Sequence, residues 1–229
     1  MIMKKNLGDA MLKFKCLVLD HDDTVVQSEK TIGYPCFCQT LSRLRPEAVL
    51  TFEDYVMGCH NLGFVAMCRE KWQFTDEELK VEYQDWMEFI RVNQPVPFPG
   101  IERIIRRQKK EGGLICVVSH SNSVNIRRDY ETNFHILPDR IYGCELPKEQ
   151  QKPAAYPLED IMRRYELSAE QLIVVDDMKL AWKMSKPLGV PFAFAAWSKA
   201  EFPQLTEDMR SISDFTFDSV AELEKFLFE

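Results

Sequence analysis

Three aspartates stand in one run, Asp20-His21-Asp22-Asp23-Thr24, directly after the apolar stretch Cys16-Leu17-Val18-Leu19. In extended backbone, residues 20 and 22 project to the same side and His21 points away. Two carboxylates held that close repel, so one would be protonated or both would share a cation. An aspartate pair around a metal suits a nucleophile and an acid/base partner working on one phosphoryl group. Two more apolar runs end in polar groups: Leu114 to Val118 before Ser119, and Ile173-Val174-Val175 before Asp176 and Asp177.

These runs are apolar throughout, which suits strands buried on both faces of a parallel sheet. Shorter candidates are Arg140-Ile141-Tyr142, Pro191 to Ala196 and Phe215-Thr216-Phe217. Amphipathic helices are expected between them at Ile101 to Lys110, Leu158 to Tyr165, Leu180 to Pro187 and Val220 to Phe228. Strand and helix in alternation predict a doubly wound α/β fold. Ligands then bind beyond the carboxyl ends of the strands, where Asp20, Ser119 and Asp176 fall. Residues 28–98 break this pattern, being rich in aromatics, Met and Cys with no convincing strand. Helices are expected over 76–92, capped by Thr75 and Glu78, after Thr51, and over 35–44. Pro95 to Gly100 reads as a stiff linker.

Composition bounds the class. With 229 residues, 45% hydrophobic and 28% charged, the chain has what a packed core needs, which excludes extensive disorder. A net charge of −7 argues against nucleic acid or an anionic membrane as partner. The basic run Arg103, Arg106, Arg107, Lys109, Lys110 reads as one solvated helix face. No apolar run approaches the roughly 18 residues of a membrane span. The start, Met1 to Lys5, has the basic flank of a secretory signal, but Asn6, Asp9, Lys13 and Lys15 interrupt the apolar stretch that should follow. With seven cysteines, an odd number, this predicts a reduced, cytoplasmic protein. Cys36, Cys38, Cys59, His60 and Cys68 have no paired zinc spacing. The residues before Met11 are expected to lie outside the fold.

The run at Asp20 resembles motif I of the haloacid dehalogenase (HAD) superfamily, an apolar strand followed by Asp-x-Asp-x-Thr. Its other motifs appear in order. The strand ending in Ser119 is similar to motif II, Lys152-Pro153 to motif III, and the strand ending in Asp176-Asp177 to motif IV. The resemblance covers nearly all of the chain after Phe14. It implies an α/β, doubly wound parallel sheet with an inserted α-helical cap domain. The expected division is 1–27 with 99–229 as core and 28–98 as cap. About a hundred residues between motifs I and II leave about 70 for the cap after a loop and one helix. That length resembles the phosphoglycolate phosphatase-like and β-phosphoglucomutase-like branch.

Position by position, the resemblance implies that Asp20 attacks phosphorus to form an aspartyl-phosphate. Asp22 would protonate the leaving oxygen and then activate water. Ser119 and Lys152 would bind the phosphoryl oxygens, and Thr24 would support that turn as a further substrate-side residue. Mg²⁺ would be held by Asp20, the backbone carbonyl of Asp22, Asp176 and Asp177. The implied activity is a Mg²⁺-dependent phosphatase acting on a small phosphorylated metabolite, as a monomer or homodimer. The alternatives are a sugar phosphomutase, or a catalytically weak binding module. Gly58 to Gly63 is expected as a cap loop, with His60 and Asn61 as candidate substrate contacts. Two positions depart from the pattern: Asp23 stands where Gly is usual, and His120 where Asn is common.

Overall fold

The computed structural model describes residues 12–229; the expectation for the residues before Met11 lies outside the described residues. Strand β1 (Cys16–Leu19) is followed by β2 (Val26–Gln27), a π-helical turn at Glu29–Gly33, and four helices, α1 (Tyr34–Leu44), α2 (Phe52–Leu62), α3 (Phe64–Trp72) and α4 (Asp76–Val92). Then come β3 (Val96–Pro97), α5 (Ile101–Lys110), β4 (Leu114–Val118), α6 (Ser123–Phe134), β5 (Arg140–Tyr142) and α7 (Tyr156–Tyr165). The chain ends with β6 (Leu172–Asp176), α8 (Lys179–Ser185), β7 (Phe192–Ala195), α9 (Pro203–Ile212), β8 (Phe215–Phe217) and α10 (Val220–Phe228).

The expected strands form one sheet in the order β5-β4-β1-β6-β7-β8, and every pairing is parallel. The unbroken apolar runs have a direct cause: both faces of the sheet are covered. Cys16, Val18, Cys116, Val118, Val174 and Phe192 join one core with Leu158, Ile161, Met184 and Leu205. Leu17, Leu19, Ile115, Val117, Ile173 and Val175 join the other with Ile104, Ile105, Ile126, Tyr130 and Leu223. Alternate residues of each strand thus feed opposite cores. The basic run of α5 is a paired outer face: Arg103 meets Glu224, Arg106 Glu102, Arg107 Glu111 and Lys109 Asp139. Among the described residues, no helix is long and apolar enough to cross a membrane.

Helix α4 starts where the Thr75–Glu78 spacing placed it. Glu78 N–H donates to Thr75 Oγ1 (3.2 Å) and Thr75 N–H to Glu78 Oε2 (2.9 Å). Thr51 Oγ1 likewise accepts from Asp54 N–H (3.1 Å) at the start of α2. Three features differ from the sequence expectation. The linker region holds β3, which pairs antiparallel with β2, so both crossings into the helical segment share one ribbon; two-residue strands carry no readable periodicity. Helix α2 runs to Leu62, so Gly58 to Leu62 is helical and only Gly63, at φ +84°, breaks the chain before α3. Helices α3 and α6 carry weak apolar stripes and are revealed by tertiary packing.

Glu82 of α4 is buried against the helical core, and burial together with Asp85 pushes its carboxyl up to about 7. The folded protein then binds a proton between the ordinary carboxyl pKa and about pH 7 that the unfolded chain has released. Stability from this group is therefore fully present at acid pH and falls as pH rises through that window. Glu82→Gln should raise the denaturation midpoint at pH 8 and leave it nearly unchanged at pH 4.5, as measured by urea titration at both pH values.

Candidate active site

Because every strand of the main sheet runs the same way, the carboxyl ends of β1, β4 and β6 meet at one edge. Asp20 N–H donates to Val175 O (2.9 Å), which fixes the start of the loop after β1 against β6. Asp20, Asp22, Asp23, Glu29, Ser119, His120, Lys152, Asp177 and Met178 line one cleft of about 120 Å³. The motifs expected from the sequence are therefore gathered at a single place.

Lys152 lies at the centre, almost fully buried. Its Nζ donates to Asp20 Oδ1 (2.8 Å) and Asp176 Oδ2 (2.7 Å). Burial works against its charge, but Asp176 and Asp20 outweigh that and raise its pKa. Lys148, the nearest rival in sequence, is exposed. Asp176 is further fixed through Oδ1, which accepts from Met178 N–H (2.7 Å). Oxygens of Asp20, Asp176 and Asp177 lie within 4.8 Å of one another. A small hard cation takes carboxylate oxygens at about 2 Å, and the lysine ammonium already shows that this cradle attracts positive charge. These residues fit a divalent ion.

Asp22 is held differently. Its Oδ2 accepts from Ser121 Oγ and, at 3.5 Å, from Ser119 Oγ. Its side chain is not one of the three carboxylates that cluster at Asp20, Asp176 and Asp177, although it lines the same cleft. His21 faces the opposite way, as alternation requires: its Nε2 lies 3.1 Å from Asp129 Oδ2. His120 places Nε2 3.1 Å from the carbonyl oxygen of Lys152. The structure places Thr24, expected on the substrate side, next to Asp177. It is fully buried, lies off the cleft, and donates through Oγ1 to Asp177 Oδ1 (3.3 Å).

Sequence reasoning missed Lys199, which follows a single turn after β7 and is fully buried. Its Nζ reaches Asp23 Oδ2 (2.9 Å), Asp177 Oδ2 (2.9 Å) and Glu29 Oε2 (2.5 Å). Asp23 sits at φ +54°, a left-handed turn position that Asp tolerates better than most residues. Its other oxygen accepts from the N–H groups of Ser28 (3.1 Å) and Glu29 (2.9 Å). The extra charge at residue 23 is thus paired with Lys199. Burial pushes Asp177 up to about 6 against the pull of Lys199. No sequence pattern marks Lys199, because its partners come from two distant loops. Of the helical-segment candidates, His60 is buried at the end of α2 and Asn61 is exposed; neither lines the cleft.

A sequence model described as haloacid dehalogenase-like hydrolase matches residues 17–195. The chain belongs to that family. No curated protein matches it in sequence. Solved structures of similar fold include a mutant of CbbY from Rhodobacter sphaeroides in complex with xylulose-(1,5)bisphosphate, at 15% identity and a TM-score of 0.73, covering 92% of this chain and 96% of that one. A predicted phosphoglycolate phosphatase from Haemophilus somnus is similar at 18% identity and 0.72, covering 94% and 99%. A haloacid dehalogenase-like family hydrolase from Streptococcus pneumoniae is similar at 15% and 0.72, covering 93% and 98%. At these identities the likeness is one of fold, and it extends over the helical segment as well as the sheet.

Within the family pattern, Lys152 is the residue whose loss would be felt most in the folded state. Lys152→Met leaves Asp20 and Asp176 buried without their cation, which typically destabilises by about 3–5 kcal/mol. Millimolar Mg²⁺ should recover much of that loss in urea denaturation, because the two carboxylates regain a positive partner.

Proposed function

We propose that the protein is a Mg²⁺-dependent phosphatase that hydrolyses a small phosphorylated metabolite through an aspartyl-phosphate. The observation that carries this reading is the separation of two carboxylates only two residues apart. Asp20 lies against Lys152 and the metal cradle, whereas Asp22 is hydrogen-bonded to serine hydroxyls. Environments that differ this much assign different roles to the two acids.

In this mechanism Asp20 attacks phosphorus, and the ester oxygen leaves with a proton from Asp22. Asp22, now ionised, takes a proton from the water that attacks the aspartyl-phosphate, and phosphate departs. Ser119 and Lys152 bind the non-bridging oxygens and offset their charge, since phosphoryl transfer depends on positioning and neutralisation. Mg²⁺ held by Asp20, Asp176, the Asp22 carbonyl and Asp177 would supply further neutralisation when bound. Residues 28–98 act as a cap domain on the core formed by 1–27 and 99–229. Cap closure over the cleft excludes water from the reacting groups. The β2–β3 ribbon is where such a motion would pivot.

A small phosphorylated ligand agrees with the xylulose-(1,5)bisphosphate held by the CbbY mutant of similar fold. A sugar phosphomutase would use the same residues and would need a further cationic group to grip a second phosphate. All seven cysteines are free thiols, which fits a reducing, cytoplasmic setting.

An aryl phosphate should be hydrolysed in the presence of Mg²⁺ and not after chelation. Asp20→Asn should abolish release. Asp22→Asn should lower kcat on an alkyl phosphate by roughly 10²–10⁴-fold, the usual share of general acid–base catalysis. Release that survives in Asp20→Asn at the wild-type rate would refute the mechanism.

A further inference from the structure

The cleft edge contains two adjoining carboxylate cages, and Asp177 belongs to both. The first is Asp20, Asp176 and Asp177; the second is Asp23, Glu29 and Asp177, whose oxygens also lie within 4.8 Å of one another. The Lys199 ammonium contacts all three members of the second cage. Its backbone is pinned as firmly as its side chain. Lys199 N–H donates to Ala196 O (2.9 Å), and its carbonyl accepts from Phe202 N–H (2.9 Å) and Thr206 Oγ1 (3.0 Å). Two residues earlier, Trp197 Nε1 donates to Thr24 O (3.3 Å). The loop after β7 therefore grips the loop after the nucleophile at two points.

Three carboxylates crowded out of water repel strongly unless a cation lies among them. Here that cation is covalently part of the chain. We propose that Lys199 is a positioning residue of the phosphoryl-transfer site, an internal ammonium that occupies the second cage in the place of a divalent cation. It orients Asp177 for the first cage through Oδ2 while Thr24 holds Oδ1. It also ties Glu29, in the first turn after β2, to the metal loop, so that the base of the helical segment and the metal cradle share one anchor. Asp23 in place of a glycine is then explained: it is the ligand that completes the cage. This rests on reading Asp20 and Asp176 as the metal cradle.

The test counts bound Mn²⁺ by electron paramagnetic resonance and follows thermal unfolding, for full-length wild type and Lys199→Met. The variant should bind one more Mn²⁺ than wild type. Its metal-free midpoint should fall by roughly 10 °C, as expected for loss of one partner from a buried charge cluster in a chain of this size, and recover with Mn²⁺. Adding Asp23→Gly and Glu29→Gln to Lys199→Met removes two of the three cage charges and leaves Asp177 to the first cage, and glycine suits the left-handed turn at residue 23. This triple variant should lose the extra ion and regain its midpoint without metal. An unchanged Mn²⁺ count in folded Lys199→Met would overturn the proposal. So would a triple variant that fails to fold, which also decides the matter if Lys199→Met alone does not fold. Wild type that binds no Mn²⁺ would refute the first cradle, while a gain of one ion in Lys199→Met would still support the role of Lys199.

Discussion

The structure depends on confining negative charge. Asp20, Asp22, Asp23, Asp176 and Asp177 all lie at one sheet edge, largely out of water, and among the described residues two ammonium groups contact them. Burying carboxylates is unfavourable unless each is paired or hydrogen-bonded. Each one here has a partner: Lys152 for Asp20 and Asp176, Lys199 for Asp23 and Asp177, and serine hydroxyls for Asp22. Both lysines remain charged for the same reason: burial opposes their charge, and the facing carboxylates outweigh it. An edge poised this way favours an incoming cation and accepts a phosphoryl group only where a lysine or a metal offsets the repulsion.

The parallel sheet makes the confinement possible. Strands that run the same way deliver their ends to one edge, so residues more than a hundred positions apart meet without long loops of their own. The two cores give this edge a rigid base, because β1, β4 and β6 are packed on both faces. The donation from Asp20 N–H to Val175 O carries that rigidity into the loop after β1.

The helical segment joins the sheet through two short strands paired with each other, and its first turn is bound to the site by Lys199 and Glu29. Position of the segment and electrostatics of the site are thereby linked. The capping-box spacing at Thr75, the Thr51 cap and the aromatic core of this segment shape it locally, while Phe52 packs edge-on against Phe202 beyond β7.

Much of this was legible in the sequence for a physical reason. Strands buried on both faces must be apolar throughout, helices between them must be amphipathic, and a phosphoryl site at strand ends must place its acids directly after apolar runs. Those local requirements identified the sheet strands, the helices at 101–110 and 220–228, and Asp20, Asp22, Ser119, Asp176 and Asp177, while Lys152 was singled out only by the resemblance of Lys152-Pro153 to a family motif. Pairings across distant loops leave no such mark. Lys199 follows an undistinguished Trp-Ser pair, Ser121 is one serine among several near Asp22, and Thr24 looks the same in sequence whether it faces a substrate or Asp177. The two-residue strands β2 and β3 are too short for a period. Sequence determined which residues could do chemistry, because residue type and spacing are local. Tertiary structure decided which charges neutralise one another, because Coulomb interactions act through space and ignore distance along the chain.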